Sequence, residues 1–144
     1  APGHHKIVTD PGLRERNYGG FQGKQKKTVA TEFPDVWQAY RSGNPDYVIP
    51  DGESHRQFHE RVVDVMTRIA DSHAGQAVAA VSHGGTLGVF MKCVLGLAVE
   101  APRPFDVGNS SLSIVERRDG KWRIRTLGEM AHLQDMPPAN QTEG

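Results

Sequence analysis

The chain has 144 residues, 17 lysines and arginines against 17 aspartates and glutamates, and a single cysteine. That length is one domain's worth and buries roughly two thirds of the surface the unfolded chain exposes, while the balanced charge, with no long run of either sign, argues against nucleic acid as a partner. One cysteine excludes an internal disulfide, no apolar run reaches the roughly 20 residues of a membrane helix, and the start Ala1-Pro2-Gly3-His4-His5-Lys6 lacks a signal-peptide pattern, so a cytoplasmic protein with no membrane partner is expected.

In chain order, His4 to Asp10 carries a short Lys-Ile-Val-Thr pattern closed by the turn residues Asp10-Pro11-Gly12, which predicts a strand. His4 and His5 read as ordinary loop residues. Leu13 to Gly23 holds three glycines and two aromatics among charged residues with no clean period, the pattern of an ordered loop; Glu15 and Tyr18 lie on it. Lys24 to Gly43 turns helical, interrupted at Phe33-Pro34, and Pro34 suits the first turn of a second short helix over Asp35 to Arg41. Trp37 and Tyr40 share a face of it, for core packing or for a lid over a pocket.

Ser54, with Gln57 three positions on, predicts an N-capping box. Phe58, Val62, Val65, Met66 and Ile69 then follow at helical spacing up to Gly75. Ala77-Val78-Ala79-Ala80-Val81-Ser82 is short, apolar and uncharged, which predicts a strand buried on both faces; His83-Gly84-Gly85 turns it into a helix from Thr86 to Leu95, ended by Gly96. Cys93 falls inside that apolar helix as a small packing residue. After a long connection from Leu97 to Asn109, two alternating segments, Ser111 to Arg117 and Trp122 to Leu127, flank Asp119-Gly120, the signature of a hairpin. A loose tail around Pro137-Pro138 closes the chain. The order predicts one α/β layered domain over residues 1–144.

His83 sits at a strand's carboxyl end, the edge where α/β sheets bind ligands and the next helix aims its unpaired N–H groups. An imidazole, two glycines and a helix start together suit a phosphate, and Glu15 is a candidate acid for protonating a leaving oxygen. Spacing alone favours Glu15 as a surface carboxylate paired with Arg14 or Arg16. His55 and His59, four apart with Glu60 beside them, are the one spacing that suggests a metal, but histidines near a helix start more often face solvent, and no metal or other cofactor is expected.

Three segments in register, 13–23 around Glu15, Gly52-Glu53-Ser54, and Val81-Ser82-His83-Gly84-Gly85, with Asn109-Ser110-Ser111-Leu112 and Ala131-His132-Leu133 behind them, closely resemble the histidine phosphatase superfamily, also called phosphoglycerate-mutase-like. The resemblance implies a three-layer α/β/α domain with a mixed, mostly parallel sheet. It also implies a small phosphorylated substrate and a metal-independent reaction through a phosphohistidine. Glu15 matches the general acid and His83 the second, phosphate-holding histidine. Tyr18 matches a loop tyrosine near substrate, Gly84 a phosphate-binding N–H, and Glu53 a pocket-supporting glutamate.

The family's nucleophile stands in an Arg-His-Gly motif at the end of a first strand, ahead of the Glu15 loop, followed by a second phosphate-binding arginine. This sequence contains no Arg-His-Gly. The expectation is therefore a domain incomplete at its amino terminus, with a gap in the sheet, an apolar patch that favours homo-oligomers, and no turnover by these 144 residues alone. Gly88 also stands where many relatives carry an arginine. Phosphatase, phosphoglycerate-mutase-type transfer and a non-catalytic binding module are the readings that remain, with the phosphatase favoured by the short segment between Gly23 and Gly52.

Overall fold

In the computed structural model, which describes residues 6–135, the Ser54 capping box forms in full. The Ser54 hydroxyl accepts from Gln57 N at 3.0 Å and Gln57 Oε1 accepts from Ser54 N at 2.8 Å. Two of the orphan donors at the helix start are thereby satisfied reciprocally. The helix it opens, α3 (His55–Ser72), follows α1 (Lys26–Glu32) and α2 (Pro34–Arg41), and precedes α4 (Gly84–Val94), β1 (Leu112–Arg118) and β2 (Lys121–Glu129). Helix α4 begins two residues before the predicted Thr86, because both glycines of the turn adopt helical geometry. His4, His5 and the tail around Pro137-Pro138 lie outside the described residues.

The core forms where α3, α4 and the hairpin meet. Phe58 and Val62 of α3 and Val89, Phe90 and Met91 of α4 are buried together, and Val115, Trp122, Ile124 and Leu127 pack on them from the hairpin. Phe90 is wholly buried and meets Trp122 edge to face, ring centroids 4.9 Å apart. The hairpin is as the Asp-Gly signal predicts: Arg118 pairs with Lys121, and Asp119 and Gly120 both have positive φ (50° and 71°), the two-residue turn that matches strand twist.

Two expected strands are not found. Among the described residues the sheet consists of β1 and β2 alone, antiparallel, and neither residues 6–9 nor 77–82 join a ladder. Val81, expected to be buried, is 92% exposed, and Ile7 of the other expected strand is 89% exposed. The physical reason is that an apolar run becomes a strand only when a neighbour takes its backbone N–H and C=O groups, and no described segment makes backbone hydrogen bonds to either run. The mostly parallel three-layer sheet is accordingly not seen; what is seen is an α/β arrangement with one small antiparallel sheet.

Candidate active site

The site is built on the first turn of α4. Its amino-terminal N–H groups are unpaired within the helix and carry the positive end of the helix dipole. The Glu15 carboxylate lies against this turn: Oε2 accepts Gly85 N–H at 2.8 Å, and Oε1 accepts Arg16 N–H at 2.7 Å. A side chain at Gly85 would put its Cβ 2.4 Å from Glu15 Oε1, so only glycine leaves room for the carboxylate there. The surface-pair reading of Glu15 does not hold, since its partners are backbone N–H groups. Two further bonds pin its loop to the helix: Thr86 Oγ1 donates to Arg14 O at 2.9 Å and Ser82 Oγ to Leu13 O at 2.6 Å.

Behind the loop stands an ion pair that sequence reasoning saw only by half. Glu53, 8% exposed, accepts from Arg61 Nη2 at 2.6 Å and Nε at 3.2 Å and from Asn17 N–H at 2.7 Å. Burial alone would raise its carboxyl, but the Arg61 bonds and the Asn17 N–H outweigh that and hold it below the usual carboxylate range. Arg61 also donates to the carbonyls of Gly12 at 2.7 Å and Arg14 at 3.1 Å. One guanidinium thus fastens the Glu15 loop to α3. Asn17 holds the loop's far side, its side chain bonded to Asp51 O and Gly19 N. Neither Arg61 nor Asn17 stands out in the sequence, because each acts through carbonyls distant along the chain.

A cavity of about 730 Å³ opens in front of Glu15. All three tyrosines of the protein, Tyr18, Tyr40 and Tyr47, line it. Four cationic side chains, Arg16, Arg41, Lys92 and Arg103, share it with the carboxylates of Glu15 and Glu100. Arg16 is stacked between rings, its Cζ 5.3 Å from the Tyr18 centroid and 5.7 Å from that of Tyr40. Burial pushes the Tyr18 phenol up, helped by Tyr40 and opposed by Arg16, so it stays a donor at neutral pH. Tyr40 settles the earlier choice in part: it packs on Phe21 (5.7 Å) and Trp37 (5.5 Å) and also walls the cavity.

Of the residues singled out from the sequence, Glu15 and Tyr18 face this cavity together. His83 is exposed at the N-cap of α4, and Gly84 opens that helix beside Glu15's anchor Gly85. Glu53 lies behind the loop rather than in the cavity. His55 and His59 are half-buried instead of solvent-facing, and His55 lines the cavity. Burial first, then Arg16, Lys92 and His59, lower His55 to about 4, so the ring is neutral at pH 7. Among the described residues no cluster of three metal-ligating side chains occurs. Cys93 is partly buried in α4, and burial pushes its thiol up.

The family model described as histidine phosphatase superfamily (branch 1) matches residues 1–130. A metal-independent phosphoserine phosphatase of Arabidopsis thaliana is 32% identical over 132 residues, 91% of this chain and 54% of that protein. A probable phosphoglycerate mutase of Yersinia enterocolitica is 32% identical over 143 residues, 96% of this chain and 66% of that protein. Among solved structures, the alpha-ribazole phosphatase of Shigella flexneri superposes with a TM-score of 0.77 at 21% identity, over 88% of this chain and 62% of its own. At that identity the likeness speaks for the fold. The chain spans from 54% to 66% of the length of these relatives.

Proposed function

This chain belongs to the histidine phosphatase superfamily, and from that premise we propose a phosphomonoester hydrolase that works through a phosphohistidine intermediate. The observation that carries the reading is the Glu15 carboxylate, fixed on the Gly85 N–H at the mouth of a cationic cavity. In the proposed reaction a histidine nitrogen attacks phosphorus and the ester P–O bond breaks. Glu15 releases one of its N–H partners, presents a proton and gives it to the leaving alcohol oxygen. Water then attacks the phosphohistidine, Glu15 takes the water's proton back, and the P–N bond breaks to free phosphate. His83 and the Gly84 N–H hold the phosphoryl oxygens as charge develops. Tyr18 donates to the substrate, and Glu53 positions the loop through Arg61. No step is routed through a metal.

None of the seven histidines of this chain follows an arginine and precedes a glycine. The proposal therefore includes that these 144 residues alone do not turn over. The finer fold goes with it: in the gene-encoded protein, with a further segment paired alongside, 77–82 becomes an inner strand of a mostly parallel, three-layer sheet. The test is phosphate release from p-nitrophenyl phosphate and from glycerol 3-phosphate by the gene-encoded protein. Glu15→Gln is expected to lower turnover of the poor leaving group by about 10²–10⁴-fold; an unchanged rate rejects the acid. Phosphohistidine formation by the isolated 144-residue chain would reject its inactivity.

Phosphoryl return to substrate, as in a mutase, is the second reading, favoured by Tyr18 in the cavity wall. Interconversion of phosphoglycerates without net phosphate release would establish it. Phosphate-ester binding with neither reaction would instead leave a non-catalytic binding module.

A further inference from the structure

Helix α4 is bare at two positions one turn apart, Gly85 and Gly88, and each is covered by a charged side chain from a distant loop. Glu15 lies on Gly85. Arg103 lies on Gly88, where an added Cβ would stand 2.2 Å from Nη1, 3.1 Å from Cδ and 3.3 Å from Cζ. Three residues of helix advance about 4.5 Å, so the guanidinium is seated about one helical turn beyond the anchor of the acid. Both groups line the same cavity.

Arg103 is weakly engaged for a residue so placed. Its Nη1 donates to Gly84 O at 3.3 Å, its Nη2 stands 3.9 Å from the fully exposed Asp106 carboxylate, and its Cζ is 5.9 Å from the Phe105 ring centroid. A guanidinium carries five N–H donors, so most of its hydrogen-bonding capacity is open to a ligand. The surroundings are electropositive: Arg16, Arg41 and Lys92 line the same cavity, and His55 within it stays uncharged at neutral pH.

Resting on the phosphatase reading, we propose that Arg103, seated on Gly88 beside Glu15, is a specificity residue that binds a second anionic group on the leaving alcohol. The preferred substrates are phosphomonoesters of anionic alcohols, such as hydroxy acids, rather than of neutral ones. Gly88 matters as the seat: the small residue at 88 lets the positive charge arrive from the loop after α4.

The experiment uses a matched pair, 3-phosphoglycerate and glycerol 3-phosphate, which differ in a carboxylate against a hydroxymethyl group. On the gene-encoded protein, kcat/KM is expected to favour 3-phosphoglycerate, and Arg103→Gln to lower the ratio of the two values by about 10- to 100-fold, the effect of losing a hydrogen bond to a charged group. Gly88→Ala, which suits a helix and displaces only the far end of a flexible side chain, should lower the same ratio. No preference in the unaltered protein, or a ratio unmoved by both substitutions, overturns the proposal while phosphatase activity stands. If neither ester is hydrolysed, the phosphatase reading fails, and calorimetric binding of the same two esters decides Arg103: tighter binding of the carboxylated ester, lost in Arg103→Gln, supports it, and equal binding overturns it.

Discussion

At the scale of single residues, the most consequential groups are polar ones taken out of water. Lys92, 5% exposed, donates from Nζ to Val99 O at 2.8 Å and to Ala101 O, tying the loop after α4 back onto that helix. Burial lowers this lysine, Glu100 opposing, and its charge adds to the field around His55. His55 makes stability depend on pH in a stated direction. Its ring is held at about 4 in the folded state against the ordinary 6.5. Between those values the unfolded chain takes up a proton that the folded one does not, so stability is lost as pH falls from 6.5 toward 4. The loss is at most ~3 kcal/mol, and less because the ring is only half-buried. Urea midpoints measured at pH 7 and pH 5 should differ less in His55→Gln than in the unaltered chain; equal differences would remove His55 as the source. Glu53 acts in the same sense lower down, its contribution disappearing as pH drops below 4.5 through its depressed value.

At the scale of elements, the loop carrying Glu15 depends on close backbone approach. Gly19 has φ of +48°, and a Cβ there would lie 2.0 Å from Pro50 O. Gly19→Ala should therefore cost at least ~1–2 kcal/mol for the left-handed backbone alone, with more from the clash, and lower the melting temperature by several degrees. A variant that melts with the unaltered chain would show that the loop gives way freely. Helix α3 and the hairpin were legible in the sequence because their causes are local: a hydroxyl three residues from its amide partner, an Asp-Gly pair that accepts positive φ. The segment 77–82 forms no ladder here because its apolar pattern reports what it can bury, while a ladder depends on a neighbour elsewhere. Glu15 and Tyr18, which line the cavity, stand out in the sequence through a motif. Arg61, Asn17 and Arg103 do not, since each takes its meaning from carbonyls or a bare glycine brought near only by folding.

At the scale of the whole molecule, the core formed by α3, α4 and the hairpin coexists with apolar side chains left in water. Ile7, Val8, Val78 and Val81 are 89%, 79%, 48% and 92% exposed. Exposed apolar groups of this kind favour association. Sedimentation of the 144-residue chain should show its mean mass rising with concentration. Val81→Lys should weaken that rise without lowering the melting temperature, because a side chain so exposed loses no packing. Monomeric behaviour at all concentrations would contradict the expectation.

The bond from Gly20 N–H to Pro50 O, 3.0 Å, brings the two ends of the intervening segment together, and Glu53 N–H to Asn17 O, also 3.0 Å, repeats the closure one step outward. Everything between, including Tyr40, Arg41 and Tyr47 of the cavity wall, is an excursion returning to its point of departure. Glu15 is fixed by α3 and α4 and takes no hydrogen bond from that excursion. Because the entropy of closing a loop rises only slowly with its length, a change of length between Val29 and Ile49, the buried anchors of the excursion, costs little in closure and would remodel what the cavity admits while the acid keeps its hydrogen bonds.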